Sequence, residues 1–181
     1  TRRGRPLRVQ RQQFPRFFFG GLLRARPDAN PVGLAKPVER RRPIVGTDVS
    51  RAALHVPAAN RAGLGLKSRV DLVASDLLSG LRGPFDLILA NLPYLRPDQR
   101  HPSTRREPPV ALFGGPDGFD LHRELLRQSV EQLAPDGVYV GEIDPEQGAT
   151  AVAFAHEVTG RVARVEPDLA GDARYLIVGV T

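Results

Sequence analysis

Residues 85–94 read Phe-Asp-Leu-Ile-Leu-Ala-Asn-Leu-Pro-Tyr, an apolar run that opens directly into Asn91-Leu92-Pro93-Tyr94. A planar amino or amide nitrogen is a poor nucleophile because its lone pair is delocalised, so a catalyst must accept its hydrogens and aim the lone pair at an electrophile. These four residues can do that. The side-chain oxygen of Asn91 can accept one hydrogen and the backbone carbonyl of Leu92 the other. Pro93 biases Leu92 to an extended conformation and so sets where that carbonyl points. Tyr94 offers a face on which a planar group can stack. The chemistry indicated is methyl transfer onto nitrogen; the plainer alternative is a strand-ending turn, for which Asn and Pro are common.

Three carboxylates bear on that reading. Asp48 follows the short apolar run Ile44-Val45-Gly46-Thr47 and precedes a helix, where a carboxylate can accept hydrogen bonds from ribose hydroxyls, although an Asp in that place is also an ordinary helix cap. Asp76-Leu77 follows the next apolar run, where a nucleobase amine and an apolar face could meet. Glu142 closes a third. Glu107-Pro108 and Gly114-Gly115-Pro116-Asp117-Gly118 indicate turns by their chemistry alone. His55, His101, His122 and His156 have no partner spacing and are expected at surface or ordinary helix positions. With no cysteine and no metal-ligand spacing, no metal site is expected.

The elements that would position these groups begin at Ile44. The pattern predicts a strand to Val49, a helix from a Ser50 cap to about Leu64 with Pro57 as a weakening interior proline, and strands over Val70–Ser75 and Phe85–Ala90. Residues 95–117 form a long loop with five prolines, of the kind usually kept for function. A helix over Asp120–Leu133, with Leu125, Leu126, Val130 and Leu133 on one face, is closed by Pro135-Asp136-Gly137. Strand Val138–Ile143, helix Glu146–Thr159 and strands Val162–Val165 and Arg174–Val180 complete the chain. This is an α/β pattern: a doubly wound, mostly parallel sheet ending in an antiparallel hairpin. Ligands in such sheets bind beyond the carboxyl ends of the strands, where Asp48, Asp76, Asn91 and Glu142 all fall.

Residues 1–43 differ. They carry 12 Lys/Arg against 2 Asp/Glu, whereas residues 44–181 carry 14 against 18, so the net +6 arises from the first segment. Prolines at 6, 15, 27, 31, 37 and 43 exclude long regular elements there, and Phe17-Phe18-Phe19-Gly20-Gly21-Leu22-Leu23 is the only apolar cluster. The expected organisation is a basic Pro/Arg-rich arm over 1–43, irregular or non-native, or a contact for RNA or the ribosome, and a catalytic domain over 44–181. No run approaches the ~20 apolar residues of a membrane span, and no charged start followed by an apolar stretch suggests a secretion signal, so a soluble cytoplasmic monomer without membrane contact is expected. The chain has no methionine and begins at Thr1. A trimmed start or a piece of a longer protein is the expectation.

From Ile44 to Val180, about three quarters of the chain, the sequence resembles the bacterial release factor glutamine methyltransferases, a family of class I S-adenosylmethionine-dependent enzymes. The matching pieces are Thr47-Asp48-Val49-Ser50 with Ala52-Ala53-Leu54 and Asn60; Asp76-Leu77-Leu78; Phe85-Asp86-Leu87-Ile88 into Asn91-Leu92-Pro93-Tyr94; Glu107-Pro108 with Ala111-Leu112 and Gly114-Gly115; Asp117-Gly118; Leu133 to Gly137; Glu142-Ile143 with Gln147; and Asp168-Leu169-Ala170-Gly171 with Arg174. The resemblance implies a Rossmann-like fold, S-adenosyl-L-methionine as cofactor, and methylation of a glutamine side-chain amide in the Gly-Gly-Gln loop of peptide chain release factors, a step in translation termination. By position, Asp48 would hold the cofactor ribose and Asp76 and Leu77 would neighbour the adenine. Asn91, Leu92, Pro93 and Tyr94 would bind the glutamine amide, with Asn91, Pro93 and Tyr94 as the catalytic set and Asn91 also beside the cofactor.

Three departures from the family pattern stand out. Leu92 replaces the usual Pro, and a Leu there is familiar in ribosomal RNA adenine dimethyltransferases, so an adenine amino-methyltransferase is the alternative enzyme. Asp144 stands where the family has Gly. The glycine-rich loop of the kind Asp-x-Gly-x-Gly-x-Gly, with the central strand that leads into it, has no counterpart in residues 1–43. Residues 1–43 are therefore expected to be out-of-frame or rearranged sequence joined to a catalytic remainder, and a non-catalytic remnant with a basic RNA-binding arm is the third reading.

Overall fold

The computed structural model describes residues 22–25, 43–99 and 107–179. These form one seven-stranded sheet: β1 (Leu22–Ala25), β2 (Ile44–Asp48), β3 (Val70–Ala74), β4 (Phe85–Ala90), β5 (Leu133–Glu142), β6 (Val162–Pro167) and β7 (Ala173–Gly179), in the order β3-β2-β1-β4-β5-β7-β6. β2 pairs with β3 and β4 with β5 in parallel. β7 runs antiparallel to both β5 and β6, which makes the terminal hairpin. Helices α1 (His55–Gly63), α2 (Asp120–Ser129) and α3 (Gly148–Thr159) complete the fold. Most of the basic arm, His101 and Val180 lie outside the described residues.

The centre of the sheet departs from a simple doubly wound pattern. The position left without a strand in the sequence is taken by β1, which contributes four residues and runs antiparallel to both neighbours, with Leu22 opposite Gly46 on one side and Leu89 on the other. The start of β1, not its end, therefore lies at the edge where β2 and β4 finish.

Several boundaries move for local reasons. Ser50 does cap, its hydroxyl accepting from Ala53 N–H, but it caps a turn, and α1 begins only at His55. Pro57 thus lies in the first turn, where its missing N–H would have had no helical partner, so the interior-proline penalty does not arise. α2 ends at Ser129, and Pro135-Asp136-Gly137 forms an excursion within β5: Phe85 pairs with Leu133 and Leu87 with Val138. Gly137 permits this, since a Cβ there would stand 2.6 Å from the Phe85 carbonyl oxygen.

The core is lopsided. Its fully buried side chains include Phe85 and Ile88 of β4, Tyr139 of β5, Leu176 and Val178 of β7, and Phe119, Leu125, Leu126, Ala151 and Ala155 around α2 and α3. α1 buries none of its residues, and β2 joins the core only through the partly buried Val45. Apolar burial is the main stabilising term, so the β2–β3–α1 half should open first. In native-state hydrogen exchange its amides are expected to exchange at least about tenfold faster than those of β4, β5 and β7. Equal protection across the sheet would contradict this.

Candidate active site

The Asn-Leu-Pro-Tyr segment leaves β4 at the carboxyl edge, and its four side chains divide between core and surface. Asn91 is exposed, Leu92 is 1% exposed and belongs to the core, Pro93 is buried and Tyr94 is half-buried. The Leu92 side chain is thus a packing group, and its departure from the family's Pro is absorbed by the core.

Two side chains from the β5–α3 corner hold the segment. Tyr94 donates its hydroxyl to Glu142 Oε1 at 3.2 Å. Gln147 Nε2 donates to the Tyr94 carbonyl at 3.1 Å and to the Asp117 carbonyl at 3.0 Å, tying the segment to the Gly114–Gly118 turn. Gln147 is itself fixed by a capping box: its Oε1 accepts from Asp144 N–H at 3.0 Å and Asp144 Oδ1 accepts from Glu146 N–H at 2.9 Å. Asp144 has φ −69° and ψ 139°, ordinary extended backbone, so nothing there demands glycine.

The glycines after Phe113 do more than turn the chain. A Cβ at Gly114 would overlap the Pro93 and Gly118 carbonyl oxygens, and one at Gly118 would overlap the Tyr94 carbonyl oxygen. Leu95 and Phe113 form a parallel bridge, with Leu95 N–H donating to the Leu112 carbonyl and Gly114 N–H to the Leu95 carbonyl, both at 3.0 Å. The Asn91–Tyr94 segment, the candidate clamp, therefore packs against bare backbone. Asp117 closes the loop through ion pairing with Arg123, whose guanidinium holds the carboxyl down at about 2.

Beside the clamp lies a cavity of about 200 Å³ lined by Leu89, Ala90, Asn91, Val140, Glu142 and Tyr175. Whole-ligand pockets run about 300–1,000 Å³, so this one suits a single side chain rather than a nucleoside cofactor. Its walls are almost wholly apolar, with the Asn91 amide and the Glu142 carboxylate at its margin.

The cofactor candidates sit across the sheet. Asp48 ends β2, is 6% exposed and accepts from Ser50 N–H at 2.7 Å. Burial pushes its carboxyl above the usual range, an effect that the Ser50 hydrogen bond opposes. A carboxylate taken out of water is stabilised by added donors, which a ribose diol supplies. Asp76 is exposed at the end of β3, while Leu77 is buried with a left-handed backbone, φ 51°, unusual for a residue with a branched side chain and costing about 1–2 kcal/mol. Such outliers mark sites where the surroundings enforce a geometry. Two strand spacings, about 10 Å, separate the ends of β2 and β4.

Asp48, Asp76 and Leu77 are the residues that would meet the adenosine part of a nucleoside cofactor. The methionine part does not find its cradle among the described residues: the centre of the edge holds the start of β1, so no strand-to-helix glycine turn leads out of the sheet there.

Sequence reasoning missed one buried constellation. His122 is fully buried, its Nε2 within 2.8 Å of the Glu142 carbonyl and its Nδ1 within 2.5 Å of the Tyr139 hydroxyl. A carbonyl only accepts, so Nε2 carries the proton and Tyr139 donates to Nδ1. Gly141 makes room, since a Cβ there would stand 2.7 Å from the Tyr139 hydroxyl and 2.8 Å from His122 Cε1. The signal was present: His122, Leu125, Leu126 and Ser129 are spaced i, i+3, i+4 and i+7, one face of a helix, and all four are buried.

No family model matches the chain. Among curated proteins it is 38% identical over 136 residues to a release factor glutamine methyltransferase of Deinococcus radiodurans, covering 74% of this chain and 48% of the relative. It is 41% identical over 138 residues to the one of Bradyrhizobium diazoefficiens, covering 72% and 46%. A ribosomal protein uL3 glutamine methyltransferase of Neisseria gonorrhoeae is 35% identical over 114 residues, covering 61% and 38%. Among solved structures, a methyltransferase from Pyrococcus furiosus superposes with a TM-score of 0.54 at 20% identity, over 75% of this chain and 61% of that one. A Thermus thermophilus 16S rRNA methyltransferase solved with AdoMet and guanosine gives 0.51 at 17% identity, over 76% and 31%. The fold is that of the class I Rossmann-like methyltransferases. The chain spans about half the length of the curated relatives it matches, and over that half its sequence is similar to the release factor glutamine methyltransferases.

Proposed function

We propose that the chain is built for S-adenosyl-L-methionine-dependent methylation of a glutamine side-chain amide in peptide chain release factors, acting in the cytoplasm as a monomer. The observation that carries this reading is the braced clamp: Asn91 to Tyr94, held by Glu142 and Gln147 beside a side-chain-sized cavity. The relatives' names supply the target.

Each residue has a part. Asn91 would accept one hydrogen of the amide and the Leu92 carbonyl the other, leaving the nitrogen lone pair aimed along one line. Pro93 sets the Leu92 backbone, and the Tyr94 ring would cover the amide plane while Glu142 keeps its hydroxyl in place. Asp48 would accept from the ribose hydroxyls, with Asp76 and Leu77 beside the adenine. When bound, the cofactor supplies a methyl group on a sulfonium. The protein's share is orientation, which can account for much of the rate of such a reaction.

A second reading follows from β1. With the central strand reversed, the described residues would meet only part of the cofactor, which favours a non-catalytic remnant; residues 1–43 would then be available for an RNA contact. Adenine as target draws no support from Leu92, whose side chain is in the core.

Calorimetric titration with S-adenosyl-L-methionine separates enzyme from remnant: weak binding, roughly millimolar, is expected for a half-built site. No heat at millimolar cofactor sinks the enzymatic reading. Transfer of labelled methyl to a release factor, and not to RNA, identifies the target. Asn91→Ala is expected to lower that transfer on the order of 10²-fold, the usual cost of removing one positioned polar group. An unchanged rate would remove Asn91 from the clamp.

A further inference from the structure

Two glutamines, Gln128 in the last turn of α2 and Gln132 just after it, reach the loop between β3 and β4. Gln128 Oε1 accepts from Leu78 N–H at 2.8 Å, across 50 residues of chain. Its own amide is oriented by Glu124, one helical turn earlier, whose Oε1 accepts from Gln128 Nε2 at 2.9 Å. Gln132 Oε1 accepts from Gly83 N–H, and its Nε2 donates to the Leu81 carbonyl at 3.2 Å. Gln132 therefore holds the part of the loop that leads into β4. Gln128 holds the part that follows Asp76.

The two contacts are not equivalent. In the turn over residues 76–79, Ser79 N–H donates to the Asp76 carbonyl at 2.9 Å and the Ser75 hydroxyl donates to the Ser79 carbonyl at 2.5 Å. That closes the turn but leaves Leu78 N–H with no acceptor inside it, on a residue only 4% exposed. A buried donor without a partner is unfavourable, and Gln128 supplies the partner. Leu77, the residue before, holds the left-handed backbone that a glycine adopts freely, as Gly80 does at φ 79° in the same loop. A leucine stays in that conformation only where its surroundings fix it. Two contacts do so here: the Leu77 side chain in the core, and Gln128 on the next N–H. The exposed Asp76 carboxylate takes its direction from the same short stretch of backbone.

We propose that Gln128 is a positioning residue for the nucleoside cofactor: by holding Leu78 N–H it sets the turn that presents Asp76 and Leu77 to the adenine. This rests on the reading of those two residues as the adenine site. Gln128 itself touches no ligand and acts through the turn. The two braces of one loop then have separate roles, Gln128 governing adenine recognition and Gln132 the entry into β4. α2 also anchors the Asn91–Tyr94 side, since Arg123 near its start pairs with Asp117, whose carbonyl accepts from Gln147. One helix thus fixes a turn beside each candidate site.

The test is titration of the chain with adenosine and with inosine, followed by backbone amide NMR shifts. It compares wild type, Gln128→Leu, Gln132→Leu and the paired exchange of Glu124→Gln with Gln128→Glu, which keeps an acceptor for Leu78 N–H and a donor beside it. Wild type is expected to bind adenosine with its largest shifts at residues 76–78, and to prefer it to inosine, which lacks the amino group that Asp76 would receive. Gln128→Leu should lose about tenfold in adenosine affinity, the scale of one buried donor left unpaired, and bring the two nucleosides within about twofold of each other. Gln132→Leu and the paired exchange should stay within about threefold of wild type and keep the preference. A role in stability alone would lower the unfolding midpoint of both leucine variants and leave the preference unmoved. Adenosine affinity unchanged in Gln128→Leu, lost equally in Gln132→Leu, or not restored by the paired exchange overturns the positioning role and leaves the adenine reading standing. A wild-type chain that binds no adenosine at millimolar concentration, or binds it with shifts only elsewhere, removes that reading and the positioning role with it.

Discussion

Gly118→Ala is expected to destabilise the protein by about 3 kcal/mol and to abolish binding at the clamp. Two terms add. Gly118 has φ 76°, where an alanine costs about 1–2 kcal/mol, and its Cβ would overlap the Tyr94 carbonyl oxygen and stand 2.6 Å from Gln147 Nε2. Relief requires either the Tyr94 backbone or Gln147 to shift, and Gln147 is held by its own capping box, so overpacking adds about 1–3 kcal/mol. Displacing Gln147 also breaks its bonds to the Tyr94 and Asp117 carbonyls. Denaturant unfolding of Gly118→Ala beside Gly148→Ala reads this out. At Gly148, which opens α3, the nearest atom to an added Cβ is Val165 Cγ2 at 3.7 Å, ordinary contact, so that variant should be neutral or slightly more stable. Equal stability of the two variants would mean that the glycine loop does not support the clamp.

Acid should destabilise the fold between pH 6.5 and about 4, through His122. Burial lowers this histidine from its ordinary 6.5 to about 4, because the imidazolium would lose its hydration, and the hydrogen bond to the Glu142 carbonyl offsets only part of that. The unfolded chain takes up the proton below pH 6.5 and the native state does not until about 4. The contribution is therefore complete above pH 6.5 and lost as pH falls through the window, in total about 3 kcal/mol. Tyr139, its phenol pushed up by burial, stays protonated throughout and keeps donating to Nδ1. Asp48, also pushed up by burial, acts in the opposite sense near the acid end. Comparison with His122→Gln isolates the histidine, since glutamine does not titrate and retains a donor and an acceptor. The stability of wild type is expected to fall more steeply with acid by about one bound proton. Parallel curves would show that His122 is charged or exposed in the native state.

Much of the sheet could be read in advance because its signals are local. Phe85–Ala90 is an apolar run interrupted only by Asp86 and bounded by Pro84 and Asn91, and it forms β4 at those boundaries. The candidate segment Asn91–Tyr94 stands out for the same reason, its four residues being adjacent in sequence. The Ser50 cap was seen correctly but carried four residues too far into helix, because nothing local distinguishes a capped turn from a capped helix.

What escaped were relations across long separations. Gln147 reaches Tyr94 over 53 residues and Glu142 reaches it over 48, so neither bond leaves a periodic trace. Gly114 and Gly118 looked like turn residues, and only backbone oxygens from another segment reveal a second reason for them. His122 looked solitary until β5 brought Tyr139 and Glu142 to it. The reversed β1 is of the same kind: four residues can satisfy the ladder of β2 and β4 in either direction, so nothing local in them sets it. Asn91-Leu92-Pro93-Tyr94 thus offers its candidate chemistry in residue type and order alone. Whether it is held, by what, and beside which cavity depended on non-local packing, where close approach and burial act between residues that the chain itself keeps far apart.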